Sequence, residues 1–380
     1  MTSDQPTDAN ANARATVAGE TVSVVAGYCI NLRGHIDACD LCSRACHAGA
    51  IALSSDMVAI DPDRCVGCGA CVPACPAGVF THDRFDPEAL PGQAVTNGAV
   101  HIACAASGDA DPGASVIPCH RMTDARLLAA LFAAGAERIG IAGTENCAGC
   151  PGGDARPALA SAVRTLGKWF GAAAPVVSFD GGMHEGAARK AVARRHLLGG
   201  IFRAFSAASE PEPDLPSFDD PRYLDDHAEA EARPVPYQRM LAAVRTQLPF
   251  RSDGLVGATG RSIDEECSGC MACAELCPTG ALGGAFGDVE SRRRVVSFDP
   301  ALCTNCTLCL KICPMEAISA RALHGVSEAT SGRTVLFART DRTCLECGAL
   351  FPQTPGSPAI CPSCENDKHM DEDWMEMLGG

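Results

Sequence analysis

The alternation of apolar and polar positions is clearest in the middle of the chain. Val100–Cys104 and Val116–Pro118 are short apolar runs that read as strands. Thr123 then opens an Ala/Leu-rich helix ending at Gly135, with Leu127, Leu128, Leu131 and Phe132 on one face. Arg138–Ala142 reads as a third strand, Ala155–Phe170 as a second helix and Pro175–Phe179 as a last strand. Strands alternating with helices predict a small parallel α/β sheet over residues 97–182. A basic helical segment (183–209) and an acidic, Pro-rich linker (210–236) follow, the latter too polar for a core of its own. A polar leader (1–20), expected to be disordered, and an acidic tail (369–380) complete the outer parts.

Apolar strands recur on both sides of that sheet, each beside a dense run of cysteines. The stretch M-V-A-I-D-P-D-R-C ending at Cys65 matches V-V-S-F-D-P-A-L-C ending at Cys303. Likewise C-H-A-G-A-I from Cys46 matches C-P-T-G-A-L from Cys277. Two copies of one small module, over 21–92 and 237–330, therefore bracket the sheet. The expected fold is multidomain α+β and α/β.

Composition changes the picture at one point. The chain has 24 cysteines in 380 residues, far more than a chain of this length needs as covalent staples. The leader has neither a basic start nor an apolar stretch, and no run of eighteen apolar residues occurs. A secreted disulfide framework and membrane insertion are thus not expected, and a cytoplasmic location is. Metal ligation remains as the explanation.

The net charge of −15, from 46 acidic against 31 Lys and Arg residues, argues against nucleic-acid partners, whose phosphates require a basic surface. Aromatic residues make up only 5%, too few for base-stacking platforms. Arg194-Arg195 superficially resembles an export signal but is followed by acidic residues. A surface helix docking on the chain's own acidic modules is the expectation there.

Spacing identifies the chemistry. Cys65, Cys68, Cys71, Cys75 and Pro76 form C-x2-C-x2-C-x3-C-P. So do Cys267, Cys270, Cys273, Cys277 and Pro278, and again Cys303, Cys306, Cys309, Cys313 and Pro314. Three closely spaced thiolates wrap one face of an iron–sulfur cube, while the fourth is carried away to ligate the other cluster of a pair. These residues resemble two-cluster bacterial ferredoxins, with βαβ-repeat modules holding [4Fe–4S] clusters. In the second module the resemblance implies one cluster on Cys267, Cys270, Cys273 and Cys313, and another on Cys303, Cys306, Cys309 and Cys277. In the first it implies a site on Cys65, Cys68, Cys71 and Cys46.

The fourth site departs from the pattern. Aligning Cys46 on Cys277 pairs Cys42 with Cys273 and Cys39 with Cys270, but puts Ile36 where a cysteine should stand. Cys29, returned by a loop containing Gly34, is the expected partner of Cys39, Cys42 and Cys75. His35, or a three-iron cluster on the remaining three cysteines, are the alternatives.

The middle domain offers Cys104, Cys119, Cys147 and Cys150, each at or after the end of an expected strand. Loops at the carboxyl ends of parallel strands converge on one edge, where four thiols could cage a two-iron or four-iron cluster. The segment V-I-P-C-H-R…L-L-A-A-L-F-A-A-G-A-E-R-I-G-I-A-G is similar to the delta subunit of methyl-viologen-reducing hydrogenases, an iron–sulfur electron-transfer domain. That family has paired cysteines before the first strand end and a C-x4-C after the third, whereas this chain has Cys104 alone and a C-x2-C. A buried thiol set, or a redox-active Cys147/Cys150 dithiol, is the competing reading.

Cys344-x2-Cys347-Gly and Cys361-Pro-Ser-Cys364 resemble the two knuckles of a zinc ribbon over 331–368. A rubredoxin-like iron site uses the same knuckles, so zinc is preferred with iron as the alternative. No phosphate loop, nucleophile triad or dinucleotide fingerprint is present in the sequence. The expected function is relaying single electrons to or from a redox enzyme such as a formate dehydrogenase or hydrogenase, without a substrate site of its own. The alternative is an assembly or maturation factor acting on a metalloenzyme precursor, as ferredoxin-like accessory proteins of nitrate-reductase systems do.

Overall fold

The structure, a computed structural model, describes residues 22–107, 113–179, 235–251, 257–286, 293–323, 325–352 and 359–377. The expected leader, the basic segment and all but the last two residues of the linker lie outside them.

The first module is built from β1 (Val22–Val24), α1 (Ile30–Gly34), α2 (Leu41–Ala45), β2 (Ile51–Leu53), β3 (Val58–Ile60), α3 (Cys71–Ala74) and β4 (Phe80–His82). β1 pairs antiparallel with β4, and β2 with β3. These elements are a turn or two long and bury few apolar side chains. α4 (Leu90–Ala94) then leads into the sheet.

β5 (Ala99–Cys104), β6 (Ser115–Ile117), β7 (Arg138–Ala142) and β8 (Val176–Phe179) form a fully parallel sheet in the order β6-β5-β7-β8. α5 (Ala125–Ala133) and α6 (Arg156–Phe170) are its long helices. Leu127, Leu128, Leu131, Ile139 and Ile141 are completely buried. The expected strands and helices are present, with ends shifted by one or two residues. α5 starts after Asp124 rather than at Thr123, because the Asp124 carboxylate accepts the N–H groups of Arg126 and Leu127, at 2.9 and 3.1 Å. That is N-cap geometry.

The second module repeats the first. β9 (Thr259–Ile263) pairs antiparallel with β12 (Ile318–Ala322), and β10 (Leu282–Phe286) with β11 (Arg293–Phe298). The repeat extends to single hydrogen bonds. Asp61 N–H donates to Ala50 O, and Asp299 N–H to Ala281 O, each at 2.8 Å. Both aspartates then accept the N–H two residues on, from Asp63 and Ala301.

Two expected boundaries are crossed by the fold. The Pro236–Arg245 helix, expected at the head of the second module, packs on α5 instead. Tyr237, Met240, Leu241 and Val244 share the core of the parallel sheet, and Tyr237 Oη donates to Met122 O at 2.6 Å. At the other end, β13 (Thr334–Thr343) pairs with β11 and also with β14 (Leu350–Pro352). The expected ribbon therefore shares a four-stranded sheet with the second module. The Pro362–Met377 helix runs from the second knuckle into the expected acidic tail. Among the described residues, no helix is long and apolar enough to cross a membrane.

Candidate metal centres

The cysteines fall into two geometric classes. Cys344, Cys347, Cys361 and Cys364 have ligand atoms all within 4.8 Å of one another. That suits one ion held by metal–sulfur bonds of roughly 2.3 Å in a tetrahedron. Among the described residues no other group of three or more His, Cys, Asp or Glu side chains is gathered so tightly. Backbone N–H groups of Cys347, Cys361 and Glu346 hold the buried Cys344 thiol down to about 6. Hydrogen bonds that the Cys364 thiol donates to Cys347 and Cys361 push it up. The cysteines of the C-x2-C-x2-C runs are not gathered into so tight a group, as suits ligands around a multi-atom cluster.

In the first module, Cys29, Cys39, Cys42 and Cys75 line one cavity walled by Ile30, Leu41, Leu53, Val58, Val79 and Phe80. Burial, with Cys75, Cys39 and Cys29 adding to it, pushes the Cys42 thiol up to about 12. Cys29 is buried at 6% exposure, whereas His35 is exposed on a left-handed turn (φ 49°) and does not line the cavity. Cys46, Cys65, Cys68 and Cys71 form the neighbouring group: burial raises Cys71, and Cys68, Cys65 and Cys46 add to it.

α2 and α3 each supply one sulfur to each group. Cys42 lies in α2 and Cys46 caps it, while Cys71 begins α3 and Cys75 caps it. The second module crosses its ligands in the same way. Cys277, Cys303, Cys306 and Cys309 line one cavity with Arg261. Cys267, Cys270, Cys273 and Cys313 form the other group, with Cys273 raised to about 12 by burial and then by Cys309 and its three companions.

Three features of these groups fit iron–sulfur clusters. First, buried thiols resist ionisation, so a set of four becomes thiolate only around a compensating positive charge. Second, Gly67 and Gly69, Gly269 and Met271, and Asn305 and Thr307 all have φ between 56° and 68°. These are matching positions of the three C-x2-C-x2-C runs. For Met271 and Thr307 that conformation costs roughly 1–3 kcal/mol, so the wrapping geometry is imposed whatever residue sits there. Third, backbone N–H groups point at the sulfurs: Ala50 to Cys46 Sγ at 3.2 Å, Val79 to Cys75 Sγ and Leu282 to Cys277 Sγ at 3.4 Å. Such bonds favour the thiolate.

Arg261 adds a fourth point. It is 2% exposed, and its Nε donates to Cys309 Sγ at 3.5 Å. Its other hydrogen bonds go to neutral oxygens, Gly260 O at 2.9 Å and Asn305 Oδ1 at 3.0 Å. A buried cation needs a buried anion, and the sulfurs of this group supply it. Burial opposes the Arg261 charge, yet Cys303, Cys309 and Cys306 more than offset it, so its pKa ends above the ordinary arginine value.

The middle-domain thiols converge where expected. Cys104 ends β5, Cys119 follows β6, and Cys147 and Cys150 follow β7, so all sit at the carboxyl edge of the sheet. β5 lies between β6 and β7, and such a reversal of strand order is where α/β sheets open their crevice. Cys119 is pushed up by the hydrogen bond its thiol donates to Cys104 and by burial, and Cys147 mainly by burial, with Cys104 and Cys150 contributing. This edge abuts the first module: a Cβ on Gly152 would lie 3.0 Å from Cys68 Cβ and 3.7 Å from Cys150 Sγ. Arg121 clamps the junction through Ala45 O at 2.8 Å and Gly152 O at 3.2 Å.

Sequence reasoning missed Arg261, Arg121 and the Pro236–Arg245 helix as parts of this arrangement. Nothing in the short polar stretch T-G-R-S-I at 259–263 marks Arg261 as a buried residue.

Comparison with known proteins supports ferredoxin-type 4Fe-4S domains in this chain. Residues 266–317 match the 4Fe-4S dicluster domain model and residues 58–81 the 4Fe-4S binding domain model. The chain is 40% identical over 47 residues to the ferredoxin of Alicyclobacillus acidocaldarius subsp. acidocaldarius, covering 12% of this chain and 60% of that protein. The same figures hold for "Ferredoxin 7Fe" of Hydrogenibacillus schlegelii. The chain thus spans about 60% of the length of these relatives.

Proposed function

We propose that the chain, with ferredoxin-type [4Fe–4S] domains on both sides of the parallel sheet, is a single-electron relay with its cofactor sites in one row. Bound clusters supply reversible one-electron chemistry, and the residues between sites determine whether electrons can pass. The observation that carries the reading is the continuity of those contacts.

The row runs from the middle-domain thiols to the Cys46/65/68/71 group through Gly152 and Cys68. α2 and α3 link that group to Cys29/39/42/75. From there Arg33 Nε donates to Leu276 O at 3.1 Å, and Lys311 Nζ to Ala38 O. Cys306, Leu276 and Ile312 pack against the core that contains Cys29 and Ile30. The junction therefore faces the Cys277/303/306/309 group, and Cys267/270/273/313 lies beyond it, with Cys270 exposed. Largely apolar walls around the Cys29/39/42/75 and Cys277/303/306/309 groups exclude water there, limiting reorganisation and side reactions of those sulfurs.

In this reading the middle thiols hold a further iron–sulfur cluster, and the C-terminal four hold zinc as a structural staple. The partner is a redox enzyme, with formate dehydrogenase and hydrogenase as the first candidates. The test mixes the anaerobically isolated full chain with formate dehydrogenase and formate, or with hydrogenase and hydrogen, and follows bleaching of its visible absorbance. A carrier is reduced by the mature enzyme plus substrate. Preferential capture of the cofactor-free precursor, without such reduction, would instead make the chain an assembly factor.

A further inference from the structure

The two modules are not electrically equivalent. Both pair their first and last strands in the same register: Val24 opposes Phe80 as Ile263 opposes Ile318, and Ser23 opposes Thr81 as Ser262 opposes Ser319. One step further, Val22 opposes His82 while Arg261 opposes Ala320. The chain count agrees, since Phe80 follows Cys75 by the same interval as Ile318 follows Cys313. Arg261 thus occupies the place of an apolar residue in the first module, and it brings a buried cation to hydrogen-bond distance of Cys309 Sγ.

A second buried arginine reinforces it. Arg245, 1% exposed, donates to Gly257 O at 2.9 Å and lies within electrostatic reach of Cys303 and of the Asp299 carboxylate. A fixed positive charge in a dry environment stabilises the more negative, reduced form of whatever the neighbouring sulfurs hold, and does so more strongly than in water. From these contacts we infer that Arg261 makes the Cys277/303/306/309 site the electron-holding position of the row, the first reduced and the last oxidised of its module. Arg261 is a positioning residue for charge, not a ligand. The inference rests on the relay reading. It gives that relay a direction-independent store at the junction between the modules, where an electron arriving from either end comes to rest.

The test is an EPR-monitored redox titration of the full iron-loaded chain, wild type against Arg261→Gln and Arg261→Lys. Loss of the charge in Arg261→Gln should weaken reduction of the first-reduced signal at least tenfold, about 59 mV for a one-electron couple. Arg261→Lys should keep most of the wild-type position. Should Arg261→Gln fail to load iron, Asn305→Asp carries the test. It sets a carboxylate on the same guanidinium, at a left-handed position that aspartate tolerates, and should shift the same signal in the same direction. An unmoved first-reduced signal in an iron-replete variant, or equal shifts in the Gln and Lys variants, would overturn the inference while leaving the relay intact. A wild-type chain with no reducible signal would instead overturn the relay.

Discussion

Arg33, on the helix that follows Cys29, donates through Nε to the carbonyl of Leu276, the residue before Cys277, at 3.1 Å. Its Nη2 reaches Glu275 O at 2.9 Å. The site irregular in sequence is thus tied directly to the second module, some 240 residues away in the chain. The neighbouring Gly34 shows how tight this junction is, since a Cβ there would lie 2.9 Å from Leu308 Cδ1.

Gly34→Val should therefore part the modules without touching a ligand. Overpacking of this kind costs roughly 1–3 kcal/mol. Iron content should stay at the wild-type level, while electron exchange between modules, followed after flash photoreduction, slows. Unchanged exchange in a stable variant would show that electrons do not cross at this contact.

Cys29→Ser should remove about four iron per chain and one EPR signal, leaving the remaining signals in place. His35→Ala should change neither, because His35 is exposed and outside the cavity. The readouts are iron analysis and EPR of the reduced protein. Loss of iron in His35→Ala would return the role to that histidine.

How much of this was legible beforehand depended on the range of the contacts. The cysteine runs and the Asp-Pro strands are local patterns, so the modules and the parallel sheet could be read directly. The start of α5 slipped because two capping residues, Thr123 and Asp124, stand side by side. The Pro236–Arg245 helix was given to the wrong neighbour because its anchor, Tyr237 to Met122, spans 115 residues. β13 was cut from the second module because nothing in its own pattern announces the β11 pairing. Arg261 could not be matched with Val22 in the sequence, since the distance from strand to first cysteine differs between the modules: Val24 to Cys29 against Ile263 to Cys267.

His82 should make the first module weaken in mild acid. Burial lowers its pKa below the ordinary 6.5, although its bond to Gly67 O at 3.1 Å pulls the other way. The folded state thus favours the neutral ring. The contribution is fully present above about pH 6.5 and is lost as pH falls below it, where the unfolded chain takes up the proton first. His82→Gln retains a donor to Gly67 O and should remove this part of the slope. Denaturant midpoints for loss of the iron–sulfur absorbance, compared at pH 7.5 and 5.5, measure it. A wild-type and variant difference that is the same at both pH values would refute the assignment.

Removing the ion from Cys344, Cys347, Cys361 and Cys364 should loosen the chain locally. Cys344, Cys361 and Cys364 share a small core with Phe351 and Ile360, apart from the larger clusters. A zinc chelator should release about one zinc per chain and raise hydrogen exchange around 344–364, while the iron content and the β11–β13 pairing persist. Collapse of the whole second module on chelation would mean that the shared sheet depends on the ion.

The most direct measurement of the central claim is an anaerobic reductive titration of the full chain, counting electron equivalents against iron and acid-labile sulfide. Four four-iron sites predict about 16 iron and about four one-electron equivalents per chain, with one more equivalent and further iron when the middle thiols hold a cluster. Less than one equivalent, with little iron and no sulfide in carefully protected protein, would contradict the relay.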